Sequence, residues 1–156
     1  MATETYIPLA TTTLASSASS VTFSSIDQSY GDLVLVFNGS GTTDGFLLSY
    51  PNSDTGNGTQ VLMNGNGSST SSASISGLSW GTINTGTRTI AIVQFMDYAA
   101  TDKHKTILIR DQESGTSVIA RAARWASTTA ISSLEIVSNS GNISAGSTFS
   151  LFGIAK

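Results

Sequence analysis

The sequence predicts an all-β protein, folded as a single antiparallel β-sandwich of jelly-roll-like architecture. Short apolar segments recur along the chain, separated by Gly, Asn and Ser residues, which is the pattern of sandwiches and barrels. Charged residues make up only 11% of the chain, against about 25% in an average domain. Ser and Thr take their place, and these residues favour turns and strands respectively. The length of 156 residues is that of one domain, so residues 1–156 are predicted to form one sandwich.

The predicted strands are short segments that are apolar or β-branched and are bounded by turn residues. In chain order they comprise residues 5–9, 20–26, 32–38, 45–50, 59–64, 88–98, 105–111, 117–126, 130–138 and 147–154. Asn-Gly, the dipeptide preferred in tight hairpins, begins at residues 38, 57, 64 and 66. The segment 117–126 also fits a helix, since Ile119, Ala122 and Ala126 lie near helical spacing. Its β-branched residues and Ser/Thr-rich flanks favour a strand.

Two of these segments lack the alternation of a half-exposed strand. "LVLVF" (33–37) and "IAIVQFM" (90–96) are apolar at nearly every position. Both faces of these strands therefore need cover, because a large exposed apolar face is a liability on a monomer. Either these strands lie in the middle of the sandwich with something packed outside them, or their outer faces meet other subunits. We favour the second alternative and therefore a homo-oligomer.

Residues 64–79, "NGNGSSTSSASISGLS", are a low-complexity segment of Gly, Ser and Asn. Such a composition predicts a flexible or extended surface loop around residues 64–79. The alternative is an arm that becomes ordered against a neighbouring subunit.

Composition excludes several classes of protein. The chain has no cysteine, which excludes disulfides and thiolate metal sites. Its net charge is −3 and its basic residues are scattered, so nucleic acid is not expected as a partner. No apolar run reaches the roughly 18 residues that cross a bilayer, so no membrane partner is expected. The opening "MATETYIPLATTTLASSASS" lacks the basic and continuous apolar regions of a signal peptide.

The charged residues concentrate in one window, "MDYAATDKHKTILIRDQE" (96–113). The whole chain has 7 basic and 10 acidic residues, and this window holds seven of them together with His104, the only histidine. A Ser–His–Asp arrangement is one interpretation. However, no G-x-S-x-G elbow follows a strand, and with 27 serines any histidine has one nearby. The acidic residues of the window could also supply the two carboxylates of a glycosidase, but they lie at strand ends and the sequence shows no aromatic-lined neighbourhood around them.

Metal chemistry has equally little support. One histidine and no cysteine exclude the common zinc sets. "SDTGNGT" (53–59) has some character of a calcium loop but lacks the terminal bidentate Glu, so a tight turn is favoured. We therefore predict no enzymatic activity, no catalytic residue, no metal site and no cofactor.

Two interpretations of the charged window remain. It is either a solvated hairpin tip or a contact with another subunit or a capsid, because charges contribute specificity to interfaces. A second candidate contact lies in "ARAARWAST", since Arg and Trp are common in interface hot spots. For that segment the alternative places the tryptophan in the core and the arginines on the exposed face. The candidate contact residues are Asp97, Asp102, Lys103, His104, Lys105, Arg121, Arg124 and Trp125.

Several segments together resemble a family of small structural proteins encoded by tailed bacteriophages, chiefly aquatic ones. They are "TYIPLATTTLASSASSVTFSSI", "YGDLVLVFNG", "IVQFMDYAATDKHKT", "ARAARWASTTAISSLEI" and "GSTFSLFGIAK". The resemblance covers most of the chain and is weaker across residues 40–75. It implies a jelly-roll-like β-sandwich that is attached to the virion.

Within that class we expect a capsid decoration (cement) protein on the capsid exterior, made in the host cytoplasm without a signal peptide. It would bind the major capsid protein and form a homotrimer, because decoration proteins commonly occupy three-fold positions of the shell. The alternative is a tail- or fibre-associated adhesin that binds host glycans through exposed aromatic residues such as Tyr50, Trp80 and Tyr98; burial of Trp80 and Tyr98 would count against it. A third possibility is a connector or minor tail protein with six-fold or twelve-fold assembly.

Overall fold

Twelve β-strands build the protein, whose computed structural model describes residues 4–113 and 117–156. The strands are β1 (Tyr6–Thr13), β2 (Ser20–Phe23), β3 (Leu33–Gly39), β4 (Gly45–Pro51), β5 (Gly58–Gly65), β6 (Thr70–Ser76), β7 (Ser79–Ile83), β8 (Thr89–Phe95), β9 (Lys105–Glu113), β10 (Ser117–Trp125), β11 (Leu134–Ser138) and β12 (Thr148–Ile154). No helix long and apolar enough to cross a membrane occurs in the described ranges.

The strands form two sheets that pack face to face. An 8-stranded sheet has the order β1-β12-β3-β8-β9-β10-β5-β6, and a 4-stranded sheet has the order β2-β11-β4-β7. Every pair of neighbouring strands is antiparallel. The prediction of an all-β, antiparallel, jelly-roll-like sandwich is therefore confirmed. Each of the predicted strand segments contains a strand, and residues 117–126 form β10 rather than a helix.

The prediction of a loop around residues 64–79 was wrong in part. Residues 70–76 form β6, which pairs with β5 in a regular hairpin, and β7 begins at Ser79. The turn of this hairpin is held by Asn66, whose Oδ1 accepts hydrogen bonds from the amides of Ser68 (2.9 Å) and Ser69 (2.8 Å). Nearly all of β6 is exposed on both faces, so its sequence has no apolar alternation that would reveal a strand.

The core lies between the inner faces of the two sheets and is rich in aromatic residues. Phe37 packs edge-on against Trp80 (ring centroids 5.9 Å apart) and lies 4.8 Å from Phe149. Trp80 is fully buried, and its Nε1 donates a hydrogen bond to Ser49 Oγ (2.7 Å). This bond satisfies the indole N–H, which buried tryptophans require. The core thus joins strands of both sheets.

The two apolar strands β3 and β8 bury one face in this core. Their inner residues, Leu33, Leu35 and Phe37 in β3 and Ala91, Val93 and Phe95 in β8, are at most 1% exposed. On the opposite face Val36 and Ile92 are half-buried, and Ile90 is 52% exposed. Val34, on the same outer face, is only 6% exposed, so this face is apolar and opens to solvent from β8 onwards.

Candidate contact surfaces

The connection between β8 and β9, residues 96–104, forms an exposed charged tip. Asp97 begins it with a positive φ of 48°, a conformation that Asp and Asn tolerate better than most residues. Lys103 Nζ lies 3.0 Å from Asp97 Oδ2, and both side chains are more than half exposed. This hydrogen bond and the charges of Asp97 and Asp102 raise the pKa of Lys103. An ion pair so exposed contributes little stability, so the tip is a solvated surface available for contacts.

Further carboxylates lie beside this tip. Asp32 accepts hydrogen bonds from the Asp97 amide at Oδ1 and from Gln94 Nε2 at Oδ2, both 2.8 Å long. Tyr98, fully buried, donates its hydroxyl to the carbonyl of Asp27, and burial raises the pKa of the phenol. Four aspartates, Asp27, Asp32, Asp97 and the exposed Asp102, thus give the molecule an acidic end.

Lys105 is a correction to the sequence analysis, because it is fully buried and cannot be a contact residue. Its Nζ donates to the carbonyls of Lys103 (3.1 Å) and Ser127 (3.4 Å) and lies 5.8 Å from the centroid of the Trp125 ring. Burial lowers the pKa of this amine. The strand alternation explains the position: Lys105 shares the inward face of β9 with Ile107 and Ile109.

Arg121 is a second correction, since it is 8% exposed and lies on the inward face of β10. Its Nη2 is 3.2 Å from Asp111 Oδ2, and its Nε donates to Asp111 Oδ1 at 3.4 Å. The same carboxylate accepts the Gly81 amide at 2.7 Å, so Asp111 joins β9 of the large sheet to β7 of the small one. This buried pair is a structural link, which the sequence analysis did not identify. The strand alternation of β9 and β10 was the signal that could have revealed it.

The third correction concerns Trp125, which is 2% exposed and belongs to the core, as the alternative interpretation proposed. Its Nε1 donates to Asp54 Oδ2 at 2.8 Å. Hydrogen bonds from the Asn57 side chain, the Gly56 amide and Trp125 lower the pKa of Asp54. The "SDTGNGT" turn therefore uses its carboxylate internally. Of the predicted contacts, Asp97, Asp102, Lys103, His104 and Arg124 remain exposed.

The outer face of the 8-stranded sheet carries most of the exposed large hydrophobic side chains of the described residues. It exposes Val61 (55%), Met63 (66%), Ile90 (52%), Leu108 (42%) and Val118 (69%) on neighbouring strands. The cross-strand pairing places all five side chains on one face of the sheet, the face opposite the core. We call this surface the outer apolar face. The unbroken apolar runs of β3 and β8 predicted an apolar outer face, but not its extension onto β9, β10 and β5.

A wide groove of about 1070 Å³ runs over part of this face. Met63, Ile90, Ile92 and Val118 supply apolar walls, and Arg110 supplies a cation. Arg124 adds a second cation on the same side of β10, where it pairs with Thr106. None of the outward positions in β3, β5, β6, β8, β9 and β10 that the structure describes is Asp or Glu. The outer apolar face is thus basic, although the whole chain has a net charge of −3.

No catalytic constellation surrounds the histidine. His104 is exposed at the tip, and no hydrogen bond joins it to a serine or a carboxylate within residues 4–113 and 117–156. In the same part of the chain no group of three or more His, Cys, Asp or Glu residues could hold a metal ion. Trp80 and Tyr98, which a glycan site would need at the surface, are both fully buried. The geometry therefore favours contact surfaces over a reactive site.

Comparisons with known proteins add little to this geometry. No protein-family model and no curated sequence matches the chain. Sucrose-6-phosphate hydrolase from Lactobacillus gasseri aligns with a TM-score of 0.38 at 10% identity, over 88% of this chain and 28% of the hydrolase. Alginate lyase Aly36B aligns with a TM-score of 0.39 at 14% identity, over 92% of this chain and 77% of the lyase. Both scores are too low to carry an argument about function.

The buried ion pair predicts a large difference between two arginines of the same strand. Arg121→Met should lower the free energy of unfolding by about 3–5 kcal/mol, because it leaves the Asp111 carboxylate buried without its cation. Arg124→Met removes an exposed guanidinium and should change it by no more than about 0.5 kcal/mol. Urea denaturation of both variants measures the difference; equal losses would contradict the structural role of Arg121.

Lys105 predicts a pH dependence of stability with a defined sign. Burial lowers its pKa in the folded state from 10.5, so between the lowered value and 10.5 the unfolded chain binds more protons. Stability contributed by this residue therefore rises with pH across that window. The free energy of unfolding of wild type should increase relative to Lys105→Met as pH approaches 10.5.

Lys103→Met is the matched control, because the pKa of Lys103 is raised. The stability that Lys103 contributes is present below its unfolded pKa and is lost as pH rises through the raised folded value. Its difference from wild type should therefore have the opposite slope. The same slope for both lysines would show that Lys105 is not desolvated.

Proposed function

We propose that the protein is a non-enzymatic capsid decoration protein that forms trimers on the head of a tailed bacteriophage. The observation that supports this most is the outer apolar face, where large aliphatic side chains of four neighbouring strands are between 42% and 69% exposed. A contiguous apolar surface of this kind marks an interaction site on a soluble protein. The resemblance to phage virion proteins supports the virion as the place of action.

Charge favours a head-to-tail contact over a symmetric one. The outer apolar face carries Arg110 and Arg124, whereas the acidic end carries Asp97, which is paired with Lys103, and Asp102. Packing the face against itself would bring arginines of two copies together, which costs free energy. Packing it against the acidic end of a neighbour pairs opposite charges. Contacts of this heterologous type form a ring when the rotation between neighbours closes, and a ring of three suits a three-fold position on a shell.

Decoration would stabilise the shell by mass action. A protein that binds the assembled capsid and not its separated subunits shifts the equilibrium towards the assembled state in proportion to its occupancy. No cofactor or reaction is needed for this, in keeping with a chain in which only 11% of residues are charged. The major capsid protein is the partner that this proposal requires.

The ring contact predicts a charge-swap result in light scattering. Wild type should have the mass of a trimer at micromolar concentration, and Arg110→Glu should shift it towards monomer by repelling the acidic tip. Combining Arg110→Glu with Asp102→Arg should restore the trimer, because the pair is reversed. Glu135→Arg, a charge reversal on the small sheet, should remain trimeric. A strictly monomeric wild type would contradict the oligomer, and failure of the swap would contradict this contact.

The decoration role predicts a high copy number. Quantitative mass spectrometry of purified virions should find hundreds of copies of the protein per particle. Removal of the protein from the virions should weaken the shell. About a dozen copies or fewer would instead indicate a tail, connector or vertex position and would reject decoration.

A further inference from the structure

Edge strands carry unpaired backbone groups, and folded proteins protect them by proline, bulges, short length or cover. The two sheets end in β1, β2, β6 and β7. β1 contains Pro8 and a register shift between Pro8 and Ala10. β2 has only 4 residues. The Gly81 amide of β7 is bonded to the buried Asp111 carboxylate. Three of these edges are therefore protected.

β6 has none of these protections. Its 7 residues, TSSASIS, include no proline and no charge, and its pairing with β5 has no bulge. Six of the side chains are exposed and Ile75 is half-buried, so the described chain leaves most of both faces uncovered. A regular, uncharged and uncovered edge of this length is a template for another strand.

The direction of the free backbone groups follows from the hairpin. Gly77 donates its amide to Gly58 O (2.7 Å) at one end, and Asn66 donates its amide to Ser69 O (3.2 Å) at the other. Hydrogen-bonded and non-hydrogen-bonded pairs alternate along an antiparallel ladder. The odd-numbered residues of β6 therefore bond β5, and the even-numbered ones point outwards. The outward residues are Thr70, Ser72, Ser74 and Ser76.

This edge is complementary to itself. When two copies of β6 run antiparallel with Ala73 on the two-fold axis, Ser72 faces Ser74 of the other copy and Thr70 faces Ser76. Every outward amide and carbonyl then has a partner, and no like charges meet. On the side of the sheet that also bears Leu62, Ala73 meets Ala73 of the other copy and Ser71 meets Ile75. Small side chains at the axis let the backbones approach.

We propose that β6 is a self-association site, at which a second copy of this chain adds its β6 antiparallel about Ala73 to continue the 8-stranded sheet. This contact differs from the ring contact and does not depend on the capsid assignment. It would link one oligomer to the next through a two-fold, isologous interface. The occupant is a second copy because the register satisfies both edges at once.

Cysteine cross-linking tests the register directly, because the chain has no cysteine of its own. In the proposed pairing the two Ala73 residues form a non-hydrogen-bonded pair with Cα atoms about 4.5 Å apart, within the range of a disulfide. Ala73→Cys should therefore give a covalent dimer on mild oxidation. Ser71→Cys, on the same side of the strand, should not, since its two copies would be about 13 Å apart.

A proline variant supplies the matched control for the edge itself. Ser74→Pro removes an outward donor without breaking a bond to β5, so it should abolish the Ala73→Cys cross-link while circular dichroism and Tm stay near those of the parent. Ser74→Thr keeps the amide and should keep the cross-link.

The outcomes separate this site from the ring contact. Cross-linking of Ala73→Cys alone, abolished by Ser74→Pro and unaffected by Arg110→Glu, supports the edge even if no trimer forms. Three results would overturn the proposal: equal cross-linking of both cysteine variants, cross-linking of neither, or a cross-link that persists in Ser74→Pro. Cross-linking of neither is also the result expected if β6 binds an extended segment of a different protein.

Discussion

The 8-stranded sheet is wider than the 4-stranded sheet that covers it, and the other features of the molecule follow from this difference. A two-layer sandwich buries a sheet face only where the second layer lies over it. Phe37 and Trp80 pack where both layers are present. At β7, the last strand of the small sheet, the core ends in the Asp111–Arg121 pair, which also takes up the Gly81 amide. Beyond this pair the large sheet continues into the β5–β6 hairpin, and its last strand, β6, is exposed on both faces.

The buried charges link neighbouring strands of the large sheet and also join it to the small one. Replacing a buried ion pair by apolar residues often leaves stability unchanged, so the pair is weak evidence for stability alone. In β10 buried and exposed positions alternate strictly, with Ile119 and Trp125 on the same inward face as Arg121, so these residues together specify its register. A slip by one residue would move Arg121 to the outer face and leave Asp111 buried without a cation. Such a slip would therefore lose the ion pair and also expose Trp125 and Ile119.

The sequence was informative wherever burial leaves a periodic pattern. Strands that pack on the core, such as β3 and β8, are visible as apolar segments, and all of the predicted strand segments contain strands. Two strands were missed. β6 is exposed on both faces and has no apolar alternation, and the buried positions of β7 include Ser79 and Gly81, which are not apolar signals. Lys105 and Arg121 were placed at the surface because charge usually marks exposure, although alternation with Ile107 and Ile109 puts Lys105 inside. Their partners, a tryptophan ring and a carboxylate, are set by cross-strand neighbours that the sequence alone does not give.

One property of the composition connects the surface chemistry with assembly. A surface built from hydroxyls has few groups that titrate or are screened, so its behaviour depends little on pH and salt. The same scarcity of charge removes the usual protection of sheet edges and faces, for which lysines and acids serve in most soluble proteins. Here β6 contains no charged residue, and the outer apolar face has only Arg110 and Arg124 among its aliphatic side chains. A chain that gains tolerance of solution conditions in this way leaves surfaces that a second copy can cover. Self-association is therefore a physical consequence of the composition, and the few remaining charges determine which surfaces meet.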